Sequence, residues 1–155
     1  MTKFFLSLHV LAAIIAVGPV TVAASMFPPA ARRAQAAGHH AASLGTVRLL
    51  HRICRVYGGI GLAVPVFGFA TAAGLGVLGD TWLIVSIVLT AAAAGVLGLL
   101  VLPRQEALLE QLDGAAVPVQ PSHTVRLAMF TGMFNLLWAV VTVLMIIRPG
   151  STTGA

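Results

Sequence analysis

Four stretches, residues 4–27, 56–78, 82–102 and 125–147, are apolar and hold no Lys, Arg, Asp or Glu well inside them. Each is long enough to cross a bilayer as a helix, which takes about 20 residues. A chain of 155 residues has little room for anything else. Only 8% of its residues are charged and 59% are hydrophobic, whereas a soluble domain carries about 25% charged residues. A water-facing globule and a disordered chain are both excluded. The expected architecture is all-α: one membrane domain over 1–155, built as a bundle of four transmembrane helices.

The first stretch also admits a cleaved signal peptide, with Lys3 ahead of it and small residues at Val22-Ala23-Ala24-Ser25. Its length, and Pro28-Pro29 followed by Arg32-Arg33, favour a retained span.

The charges then label the two sides. Nine Lys+Arg oppose four Asp+Glu, for a formal net charge of +5. Arg32, Arg33, Arg48, Arg52, Arg55, Arg104 and Arg126 belong to the side of loops 28–55 and 103–124. Lys3 and Arg148 fall on the other. Because positive loops stay in the cytoplasm, both termini are expected outside, in a bacterial inner membrane. Cations placed beside apolar runs point to anionic lipid and not to nucleic acid.

In the first loop, Ala34 to His40 has no periodic pattern and reads as flexible. Helix is expected from about Ser43, with Arg48, His51, Arg52 and Arg55 at i, i+3, i+4 and i+7 along one face. Arg48, Arg52 and Arg55 are the candidate contacts to lipid or to a partner membrane subunit. In the second loop, Leu108, Leu109 and Leu112 form a short apolar stripe before Gly114, a helix stop. Residues 117–121 read as an extended connector, and Ser122 or Thr124 as the cap of the last helix. A tight turn is expected at Gly79-Asp80-Thr81, with Trp82 and Tyr57 as interfacial anchors.

Few side chains offer chemistry. His9 is the ionisable residue inside a span, which makes it the candidate site residue. It is either a haem iron ligand or a neutral imidazole bonded to a neighbouring helix. His39, His40, His51 and His123 lie on the opposite side of a membrane ~30 Å thick and cannot share a metal with it. His39-His40 is more simply a solvated pair. The single Cys54 forms no internal disulfide and reads as a buried, inert thiol. Pro19 and Pro65 release the carbonyls of Ile15 and Gly61. Gly58, Gly61 and Gly68 make one side of the second span small, suited to close helix packing, and Asn135 suits a hydrogen bond between helices. No intramembrane carboxylate or lysine, no phosphate loop and no paired nucleophile and base occur. Pumps and familiar catalytic classes therefore lack candidate residues, and no catalytic or metal site is assigned.

Leu8-His9-Val10, Gly18, Phe27-Pro28-Pro29, Thr81-Trp82-Leu83, Phe134-Asn135 and Ile146-Ile147-Arg148-Pro149-Gly150 resemble a superfamily of four-helix bacterial membrane proteins. It includes the HemJ-type protoporphyrinogen oxidases, the CopD copper-resistance proteins and uncharacterised integral membrane families, the last being the nearest in pattern. The resemblance implies that His9 matches a haem-binding histidine. The third-span lysine of the oxidases falls at or beside Ser86, and their acidic residue after Phe-Asn is Leu136. Those departures speak against oxidase chemistry. The sequence expectation is a non-catalytic accessory or structural membrane subunit binding lipid or a larger membrane complex, such as a respiratory one. The alternative is a haem-b protein using His9.

Overall fold

The computed structural model describes residues 1–38, 40–114 and 118–150. Helix α1 is Thr2–Ala36, α2 Ala41–Ile60, α3 Ala63–Leu75, α4 Thr81–Gly95, α5 Leu102–Gly114 and α6 Pro121–Ile147. A π-helical segment, Val96–Val101, joins α4 to α5. No strand occurs among the described residues. α2 with α3, and α4 with the π segment and α5, each form one long rod. With α1 and α6 the molecule has four rods long and apolar enough to cross a membrane. Rod α1 packs on α2, α3 and α6; α4 and the π segment pack on α6; α5 closes back on α2.

The rods outrun the apolar stretches. Residues 28–36 are helix and not loop, despite Pro28 and Pro29. The reason is register: Val20, Ala23, Phe27, Ala31 and Ala34 recur at three- and four-residue steps and are all buried. Ala31 and Ala34 join the same core as Leu44 and Val47, while Arg32 and Arg33 point outward. The expected flexible stretch from Ala34 thus begins with a fully buried alanine. Similarly, 103–114 continues the third rod, with Leu108 and Leu112 buried in the main core. Of the expected connector, Pro118 to Gln120 is non-helical, and Val117 lies outside the described residues. Gln120, followed by Pro121, precedes α6 in the cap position. The Thr124 hydroxyl instead donates to the Pro121 carbonyl at 2.9 Å, so it does not cap the helix.

Two prolines act differently. Pro65 interrupts the second rod at Gly61-Leu62, where the Gly61 carbonyl loses its usual donor and accepts the Val64 N–H at 3.1 Å. Pro19 leaves α1 unbroken. The π segment has its own cause and effect. Pro103 cannot donate to Leu99, and the Arg104 guanidinium donates to the Leu100 carbonyl at 3.0 Å. Ala93, Leu97, Val101 and Gln105 are buried at successive four-residue steps. In a regular α-helix of 3.6 residues per turn that row would wind away from the core. The looser π turn keeps it straight.

The main core lies in the arginine-rich half. Two smaller clusters serve the other half. One joins Ala12, Ala16 and Val64; the other joins Ala72, Val77, Trp82 and Leu83. Trp82 is more than an interfacial anchor. It is buried, donates to Asp80 Oδ2 at 2.9 Å and lies under the Arg148 guanidinium at 5.5 Å.

Candidate functional site

Two polar arrangements stand out, one in each half. In the half that holds residues 1 and 150, His9 of α1 faces α3. Its Nδ1–H donates to the Val64 carbonyl at 2.8 Å. A carbonyl can only accept, so this bond places the proton on Nδ1 and leaves the lone pair on Nε2. The ring fits because residue 68 has no side chain. A Cβ there would lie 3.0 Å from His9 Cε1 and 3.1 Å from Nδ1. His9 and Gly68, singled out separately, thus form one notch. Ser86 is fully buried and donates to the Trp82 carbonyl at 2.8 Å, so its hydroxyl is engaged within its own helix.

In the arginine-rich half, the reading of α2 changes. His51 does not share the exposed face of the arginines: it is 8% exposed and sits among buried Leu44, Val47, Leu50 and Cys54. Its Nδ1–H donates to Gln105 Oε1 at 3.1 Å. Gln105, fully buried, donates from Nε2 to Cys54 Sγ at 3.6 Å. The network was missed as a unit, and Gln105 altogether. A signal existed: 44, 47, 51 and 54 have helical spacing on one side of α2, and 101, 105, 108 and 112 do so along the third rod.

The arginines separate. Arg48 makes an exposed ion pair with Asp113 of α5 at 2.6 Å. Arg52 and Arg55 are exposed and line a shallow cavity of about 330 Å³ with His51 and Val56. Arg104 lies over the Phe130 ring at 4.4 Å. A second cavity of about 410 Å³, between the end of α1 and the start of α6, is lined by Arg32, Gln35, Val119 and Thr124 among others.

A Cβ at Gly58 would lie 3.2 Å from Leu97 Cδ2, and one at Gly61 would lie 3.8 Å from Ala16 Cβ. The first marks a close helix approach; at Gly61 the tightest contact is with the Gly58 carbonyl of the same rod, at 3.0 Å. Asn135 Nδ2 donates to Ser25 Oγ at 3.2 Å, joining α6 to α1. Asn135 Oδ1 and Thr131 Oγ1, one turn apart, are buried with no partner among the described residues. His40 and His123 are exposed, and His39 lies outside the described residues. No group of three or more His, Cys, Asp or Glu gathers among the described residues.

Four long apolar rods, with most of the arginines gathered at one end, define a polytopic integral membrane protein. Residues 4–149 match the family described as "Predicted integral membrane protein (DUF2269)", and the chain belongs to it. No curated protein and no solved structure matches.

Proposed function

We propose that this protein is a non-catalytic accessory or structural component of a bacterial inner membrane. It would bind anionic lipid or a larger membrane assembly, such as a respiratory complex. Both termini would lie outside and the arginine-rich end would face the cytoplasm. The observation that carries the reading is the exposed Arg52 and Arg55 beside a cavity where the second rod meets its apolar stretch. Guanidiniums at that depth meet lipid phosphate or an acidic partner surface. Extraction in a gentle detergent followed by mass spectrometry tests this. Co-purified anionic lipid or a stoichiometric partner is expected. Recovery only as a bare monomer overturns it.

A second reading is favoured by the His9 geometry. Iron-ligating histidines donate their other ring N–H to a carbonyl or carboxylate, and His9 Nδ1–H does so to Val64. His9 would then hold haem b through Nε2, as the resemblance to HemJ-type oxidases implies, and the haem would supply redox chemistry. An absorption spectrum after haem supplementation decides. A Soret band lost in His9→Ala supports haem binding, and its absence from the wild-type protein ends that reading.

A further inference from the structure

Among the described residues His51 is the buried histidine, yet it reaches a cavity. Gln105 holds its Nδ1–H and is itself held by Cys54. The ring is therefore fixed from behind, and Nε2 makes no hydrogen bond to another described residue. The other lining residues with charge are Arg52 and Arg55. They lie one and four positions on from His51: Arg55 is its neighbour one turn along and Arg52 stands on the adjoining exposed side, so the cavity lies at the edge where the buried face of α2 meets its exposed one. A pre-set imidazole beside two guanidiniums is a receptor for an anion. Guanidiniums pair with two oxygens of a phosphate at once. An anion against Nε2 draws a proton onto it, so that the ring donates from both nitrogens.

None of the other described charged or titratable groups on the helices meeting here lines this cavity, Tyr57 included. Arg48 is paired with Asp113. Arg104 donates to Leu100 and covers Phe130. Glu106, Glu110 and Arg33 are exposed, Arg32 lines the other cavity, and Cys54 sits behind Gln105.

We propose that His51, Arg52 and Arg55 form a phosphate-binding site at the membrane surface, and that phosphate binding takes up one proton on His51 Nε2. The phosphate is that of an anionic phospholipid headgroup or free inorganic phosphate, since both present at least two non-ester oxygens that share negative charge. The proposal deepens the lipid-docking reading and rests on it for the placement of α2 at the bilayer surface.

The test uses the full chain in nanodiscs of phosphatidylcholine doped with phosphatidylglycerol. Retained lipids are counted by native mass spectrometry at about pH 6 and about pH 8, the range in which a histidine changes charge. Phosphatidylglycerol should be retained in preference to phosphatidylcholine, more strongly at the lower pH. Arg52→Gln and Arg55→Gln should each weaken that preference about fivefold. His51→Gln should remove the pH dependence and keep the arginine-borne part. If that variant does not fold, the wild-type pH profile compared with those of the arginine variants still decides. Displacement of phosphatidylglycerol by inorganic phosphate supports the site with a soluble ligand. Retention against it supports the site with a lipid ligand. A preference that is the same at both pH values overturns the His51 site and leaves the basic-face reading standing. No preference for phosphatidylglycerol at all overturns both.

Discussion

Gly68→Ala tests the notch between α1 and α3. The added Cβ would lie 3.0 Å from His9 Cε1 and 3.1 Å from Nδ1, a few tenths of an ångström inside comfortable contact. The ring is not free to yield, because its Nδ1 is held 2.8 Å from the Val64 carbonyl. Three terms set the size. Overpacking costs about 1–3 kcal/mol. Loss of an interhelical hydrogen bond in a membrane protein costs ~0.6 kcal/mol on average. Alanine returns up to ~1 kcal/mol through helix propensity. The sum is a destabilisation of about 1–3 kcal/mol. In a His9→Ala background the Cβ meets no ring, so the same substitution should be neutral or mildly stabilising. The double-mutant cycle should then show a coupling of about 2–4 kcal/mol, since the propensity gain is common to both backgrounds and cancels. Reversible unfolding by SDS from mixed micelles, followed by circular dichroism, measures all four proteins. Equal effects of Gly68→Ala in both backgrounds would refute the notch.

Three further outcomes follow from the packing. Gln105→Leu leaves the buried His51 N–H without its acceptor, which should cost about 1–3 kcal/mol in the same unfolding assay. Cys54 has no exposed surface, so a maleimide should leave it unlabelled in the folded protein and label it after SDS unfolding; rapid native labelling would contradict the buried network. Arg148→Ala removes the guanidinium over Trp82. In a Trp138→Phe background the Trp82 emission should shift, with a stability loss of about 0.5–1 kcal/mol.

The four rods were legible because long apolar runs admit little else in a chain so poor in charge. Their ends were not. Arg32 and Arg33 looked like the exit from the helix, but a helix that leaves the hydrocarbon keeps its hydrogen bonds. Ala31 and Ala34, on either side of the charges, continue the buried row. His9 was legible as a lone ionisable group in a span. Its partner was not, because the Val64 carbonyl has no residue-specific signature and Gly68 reads as one small residue among many. His51 misled for a related reason. Its spacing fits both the arginine face and the apolar face, and the choice depends on a glutamine that lies 54 positions away in the chain.

The π segment at Val96–Val101 lets the third rod hold one residue more than a plain helix would. Each residue of an α-helix turns the chain by about 100°, and the looser turn takes up about that much. A chain one residue shorter at this point would run on as a plain α-helix and still present the same side of everything that follows. The same number of residues wound as plain α-helix would instead swing Gln105 away from His51, and Arg104 from Phe130, although no side chain had changed. Two relatives that match after residue 102 but differ by one residue before it would therefore share interiors and not numbering.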